Sequence, residues 1–76
     1  MVCPMASRYP ERYRALLERL RAARIAAGLS QEAVAAALGV KQNFVSRLEI
    51  GERRLDPVEL AELAKLYGKP IAWFLE

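Results

Sequence analysis

Four polar side chains at helical spacing open the chemistry of this chain: Gln42, Asn43, Ser46 and Arg47. With Gln42 at the origin of a helical wheel, Ser46 lies near about 40°, Asn43 near about 100° and Arg47 near about 140°. Phe44, Leu48 and Val45 lie near about 200°, 240° and 300°, so polar and apolar sets separate. An amide can bond two atoms of an adenine edge, and a guanidinium can bond two atoms of a guanine edge. No acid occurs between Ala33 and Leu48, so nothing on this stretch repels phosphate. The same face is equally compatible with a merely solvated helix, and the residue types alone do not decide between the two.

Other chemistries find little support. The 76 residues contain no histidine, which removes the commonest general base and transition-metal ligand. The single cysteine, Cys3, offers neither an internal disulfide nor a thiolate cluster. Ser30 and Ser46 have no histidine to activate them, and no carboxylates pair near a cleft signal. A chain this short has little room for a substrate pocket of about 300 Å³ or more. The expectation is a binding protein without enzymatic activity, metal, cofactor or small-molecule ligand. No apolar run approaches the roughly 20 residues of a membrane span.

Charge is uneven. The net charge is +3, but residues 1–27 carry +4, residues 28–54 carry +1 and residues 55–76 carry −2. A polyanion would dock on the first end, and a partner protein could use the last.

The elements that must position these groups read as short helices. Nothing alternates with period two, and 54% hydrophobic with 28% charged residues is a globular mixture rather than a disordered one. Pro10, Gly28, Gly39, Gly51, Pro57, Gly68 and Pro70 punctuate the chain. The spacing predicts a first helix over 11–27, with Tyr13, Leu16, Leu17, Leu20, Ala23, Arg24 and Ala27 on one stripe. Ser30 caps a second over 31–38, rich in alanine, and a third follows over 42–50. Asp56, Pro57 and Glu59 open a fourth that Gly68 closes. A short fifth runs over 71–75. Residues 1–9 lack periodicity and read as a flexible arm, leaving 10–76 as one domain.

Two helices joined by Gly39, Val40 and Lys41 make a helix-turn-helix, in which the second helix lies in a DNA major groove with its N-terminal residues at the base edges. Here those residues are Gln42 and Asn43.

At this point residues 20–75 resemble the lambda-repressor-like, or XRE, helix-turn-helix family. The resemblance rests on Leu20-Arg21-x-x-Arg24, Gly28-Leu29-Ser30-Gln31, Val34-Ala35 and Leu38-Gly39-Val40. It continues through Val45-Ser46-x-x-Glu49-x-Gly51, Leu63-Ala64 and Trp73-x-Leu75. It implies an all-α, compact five-helix DNA-binding domain working as a homodimer on a two-fold operator. It also implies that Gln31 meets phosphate, that Lys41, Gln42, Asn43 and Arg47 face the groove, and that Arg53 and Arg54 approach the backbone. Phe44 is bulkier than the small polar residue often found there, and the first ten residues have no family counterpart.

Single residues support or qualify this. Gln31 sits at a helix N-terminus, where the dipole favours an anion. Arg24 falls in an apolar stripe and needs a partner, and Glu49 lies at the edge of the third helix's apolar side, so an Arg24–Glu49 salt bridge is expected. Arg47 reaches either a base edge or a phosphate. Ile71, Trp73, Phe74 and Leu75 are too many large apolar residues for one short helix to bury. Ile71, Trp73 and Phe74 are expected to form a dimer contact, with Leu75 in the core. Such a dimer would set two recognition helices roughly 34 Å apart.

The function expected is a sequence-specific transcriptional regulator, a repressor or autoregulator, that reads a palindromic operator on double-stranded DNA. Its setting would be a bacterial or phage-type cytoplasm, nucleoid-associated when bound, with no membrane contact. The competing reading is an interaction module that keeps the fold but binds protein. Acids or large apolar residues on the groove face would mark it, and Gln42, Asn43, Ser46 and Arg47 are neither.

Overall fold

A computed structural model describes residues 10–76; the arm expected over residues 1–9, with Cys3, lies outside the described residues. Five α-helices follow in order: α1 Pro10–Ala26, α2 Gln31–Leu38, α3 Gln42–Ile50, α4 Pro57–Tyr67 and α5 Ile71–Leu75. There is no strand among the described residues.

Each boundary has a local cause. Ser30 Oγ accepts the Ala33 N–H at 3.0 Å and starts α2. Asp56 and Glu59 form a reciprocal capping box at α4: Asp56 accepts the Val58 N–H at 2.7 Å, and Glu59 Oε1 accepts the Asp56 N–H at 2.9 Å. The tight turn between α2 and α3 depends on Gly39, whose φ of +73° lies in the left-handed region. In that conformation the Gly39 N–H reaches Ala36 O and the Val40 N–H reaches Ala35 O, satisfying carbonyls that α2 would leave orphaned. Helix α1 begins one residue earlier than its periodicity suggests, because Pro10 occupies a first-turn position where its missing N–H costs nothing. It also ends one residue earlier, so Ala27 sits in the turn and is exposed rather than in the core stripe.

One core joins the helices. Leu16, Leu17, Leu20 and Ala23 of α1 meet Val34 and Ala35 of α2, Val45 and Leu48 of α3, Leu60, Leu63, Ala64 and Tyr67 of α4, and Phe74 of α5. Helix α1 packs against α3, α4 and α5, while α2 packs on α3. The small, buried Ala35 of α2 lets α3 approach closely, and α1 holds α3 from its other side.

Helix α5 corrects two expectations. Phe74, expected with Ile71 and Trp73 at a dimer contact, is 1% exposed, and Leu75, expected in the core, is 54% exposed. The rotation of α5 on α1 and α4 decides this. Arg19 Nη1 donates to Trp73 O at 3.0 Å, fixing α5 against α1. The phenyl ring then fills the gap between α1 and α4, removing more apolar area from water than Leu75 would. Ile71 and Leu75, one turn apart, are left on the outside.

Candidate nucleic-acid interface

Helix α3 divides as an amphipathic helix must. Val45 and Leu48 are each 2% exposed, and Phe44 packs at the core margin. Lys41, Gln42, Asn43 and Arg47 are exposed, and Ser46 is half-buried. Ser46 is thus the least accessible of the five. None of the described residues occludes the other four.

Behind this face runs a hydrogen-bond chain through three helices. Arg24 of α1 donates from Nε to Glu49 Oε2 at 2.7 Å and from Nη2 to Glu49 Oε1 at 3.3 Å. Its Nη1 donates to Leu29 O at 3.0 Å, tying α1 to the turn before α2. Gln31 Nε2 donates to Glu49 Oε1 at 3.0 Å, and Gln42 Nε2 donates to Gln31 Oε1 at 3.1 Å. The carboxylate can only accept, so it sets the direction of every bond after it. Gln31 must turn its NH₂ toward Glu49, which leaves its carbonyl toward Gln42. Gln42 must then turn its own NH₂ toward Gln31. One N–H and the carbonyl oxygen of Gln42 remain unspent, the pair of groups that a bidentate adenine contact uses. Gln31 likewise keeps one N–H beside the α2 N-terminus.

The loop over 51–55 flanks α3 on its other side and is held at several points. Arg53 Nη2 donates to Glu59 Oε2 at 2.9 Å, and its guanidinium sits over the Phe44 ring at 4.2 Å. Arg54 sits over the Tyr13 ring at 5.3 Å. The Leu55 N–H donates to Tyr13 Oη at 3.1 Å. Both arginines are exposed, but Arg53 already has a carboxylate, so a phosphate contact from it would exchange one anion for another. Tyr13 and Glu59 are the members of this cluster that sequence reasoning leaves in other roles. Tyr13 reads as an apolar stripe residue and Glu59 as a helix cap. Both are those things, and the loop contact is an additional use of the same atoms.

Burial also marks the electrostatics. The Tyr67 phenol is pushed up from 10.0 to about 12, first by burial and then by the nearby Glu49 carboxylate, with Arg24 acting in the opposite sense. The folded chain therefore holds this proton more tightly than the unfolded chain. That stabilisation is complete below about pH 10 and is lost as pH rises toward about 12. Urea unfolding midpoints measured across this range should fall more steeply for the parent chain than for Y67F. Parallel slopes would show that Tyr67 does not titrate as described.

Elsewhere an open groove of about 410 Å³ lies between α1 and the end of α5, lined by Tyr13, Leu16, Phe74 and Leu75 among others. It lies away from the exposed face of α3. No group of three or more metal-ligating side chains occurs among the described residues, and no described helix is long and apolar enough to cross a membrane.

No curated protein matches the chain. The profile of the helix-turn-helix family matches residues 20–74, which takes in the end of α1 and all the helices that carry the exposed face. The glycine-pinned α2–α3 pair, the five-helix order and this match lead to one conclusion: the chain belongs to the XRE, or lambda-repressor-like, helix-turn-helix family of DNA-binding regulators.

Proposed function

We propose that this protein is a sequence-specific transcriptional regulator, a repressor or autoregulator, that binds a palindromic operator as a homodimer. The observation that carries the reading is the exposed α3 face with the Gln42 amide already aimed. A side chain fixed before binding loses less rotamer freedom when it meets a base. In this reading Lys41, Gln42, Asn43, Ser46 and Arg47 contact base edges. Gln31 meets a phosphate with its remaining N–H at the α2 N-terminus, where the helix dipole favours an anion. Arg53 and Arg54 approach the backbone from the loop. The base-edge contacts supply sequence discrimination, and the loop arginines Arg53 and Arg54 supply salt-dependent affinity.

The dimer contact in this proposal is Ile71 and Leu75, at 43% and 54% exposure, with half-buried Trp73 beside them. Two apolar residues one turn apart make a self-complementary ridge, as a two-fold interface requires. The adjoining α1–α5 groove gives a partner's ridge an apolar seat. In this reading the protein works in a bacterial or phage-type cytoplasm, associated with the nucleoid when bound.

Selection of binding sites from random duplexes tests this directly. The expected product is an inverted repeat with half-site centres about 10 base pairs, or roughly 34 Å, apart. It should bind about 10³-fold or more tighter than random sequence. Enrichment of single half-sites would remove the homodimer. Enrichment of nothing would remove sequence-specific regulation.

A further inference from the structure

We propose that Tyr13 is a positioning residue for the DNA backbone contact, acting through the loop over 51–55. The proposal rests on the reading above, in which that loop faces phosphate. Ordering a loop residue costs about 1–2 kcal/mol of backbone entropy. A loop that settles only on DNA would subtract that cost from affinity. Here contacts within the protein already hold the loop, and one side chain from α1 makes two of them.

The Tyr13 hydroxyl accepts the Leu55 N–H at 3.1 Å, at the last residue before the Asp56 cap of α4. The Tyr13 ring face lies 5.3 Å from the Arg54 guanidinium carbon, inside the roughly 6 Å reach of a cation–π contact. The residue is half-buried and packs against the core, which limits the positions open to the ring. On the other side of the loop, Arg53 rests on Phe44 and Glu59. The two adjacent guanidiniums are thus seated on two rings from different helices. Phe44 ties its arginine to α3 itself, whereas Tyr13 ties its arginine and the loop end to α1. Loop and recognition helix are consequently presented as one surface before DNA arrives.

Two substitutions separate this role from simple packing. Y13F keeps the ring, its burial and the Arg54 contact, and removes only the acceptor. Amide exchange at Leu55 in the free protein should accelerate about 5-fold or more, the scale of one hydrogen bond. DNA affinity should fall about 3- to 10-fold, equally on a selected and a random duplex, because backbone contacts carry no sequence information. Y13L also removes the ring, and the slope of log affinity against log salt should flatten by about one phosphate contact. A residue that only packs would move the melting temperature without moving that slope. The proposal is overturned if Y13F leaves Leu55 exchange and affinity unchanged, or if the loss is confined to the selected duplex. Failure of the parent chain to bind any duplex at low salt would overturn the DNA reading and this role with it. Binding by the parent chain with an unaffected Y13F would overturn this role alone.

Discussion

Replacing Glu49 with lysine is expected to unfold the domain at moderate temperature. Glu49 and Arg24 have side chains only 5% and 12% exposed. The lysine would set two cations together in that space, and even losing the carboxylate alone leaves a largely buried guanidinium without its counter-ion, held only by Leu29 O. Breaking one side of a buried pair costs about 3–5 kcal/mol. A domain over residues 10–76 has roughly 3–10 kcal/mol of stability in total, taking about 0.05–0.15 kcal/mol per residue. The loss is therefore a large share of the whole, because α1, α2 and α3 all attach to this carboxylate. Thermal unfolding followed by circular dichroism measures it, and a melting temperature within a few degrees of the parent would refute it. The double variant R24M/E49L distinguishes stability from orientation. Apolar replacement of a buried ion pair is often neutral or stabilising, so this chain should fold. It would nevertheless leave Gln31 without its acceptor, and Gln42 without a fixed amide. Its affinity for a selected duplex should fall while its melting temperature holds.

The second large effect concerns Gln42 and Asn43. Both are exposed at the start of α3, and alanine is the better helix former at either position. Q42A/N43A should thus fold like the parent. Each bidentate amide–base contact is worth about 1–3 kcal/mol of discrimination, so the pair accounts for about 2–6 kcal/mol. Binding to a selected duplex should weaken by roughly 30-fold to 10⁴-fold and approach the level of random DNA. The salt slope should stay where it was, because neither side chain carries charge. Fluorescence anisotropy titrations on selected and random duplexes give both quantities. Retained discrimination would mean that sequence is read elsewhere, and loss of the salt slope would mean that the variant had lost its backbone register as well.

These two predictions draw on different levels of legibility. The α3 boundaries and the separation of its polar and apolar sides follow from the sequence, since Gly39 and Gly51 delimit the segment and nine residues suffice to show the period. The direction in which Gln42 turns its amide does not follow. It depends on a carboxylate and a second amide that reach it from positions seven and eleven residues away, across two helices. The loop over 51–55 is similar. Two arginines in a row are plain in the sequence, but their seats on Phe44 and Tyr13 come from two different helices, α3 and α1. Glu59 illustrates the same limit within six residues. Its capping role is local and readable, whereas its bond to Arg53 requires the loop to fold back.

By itself, the order of residues determined that this chain forms five helices, where they start and stop to within one residue, and which side of the first four turns inward. Those outcomes depend on caps, left-handed glycines and period, all of which act within a turn or two of the chain. Tertiary structure alone decided the rotation of α5. Four large apolar residues and an alanine in a five-residue helix leave no polar side to set an inward direction, so the choice of Phe74 over Leu75 fell to the shape of the gap between α1 and α4 and to the Arg19–Trp73 bond. It also decided the aim of the α3 amide and the seating of the loop arginines. Hydrogen bonds and ring contacts between side chains act over about 3–6 Å, and only packing brings residues distant in the chain within that range.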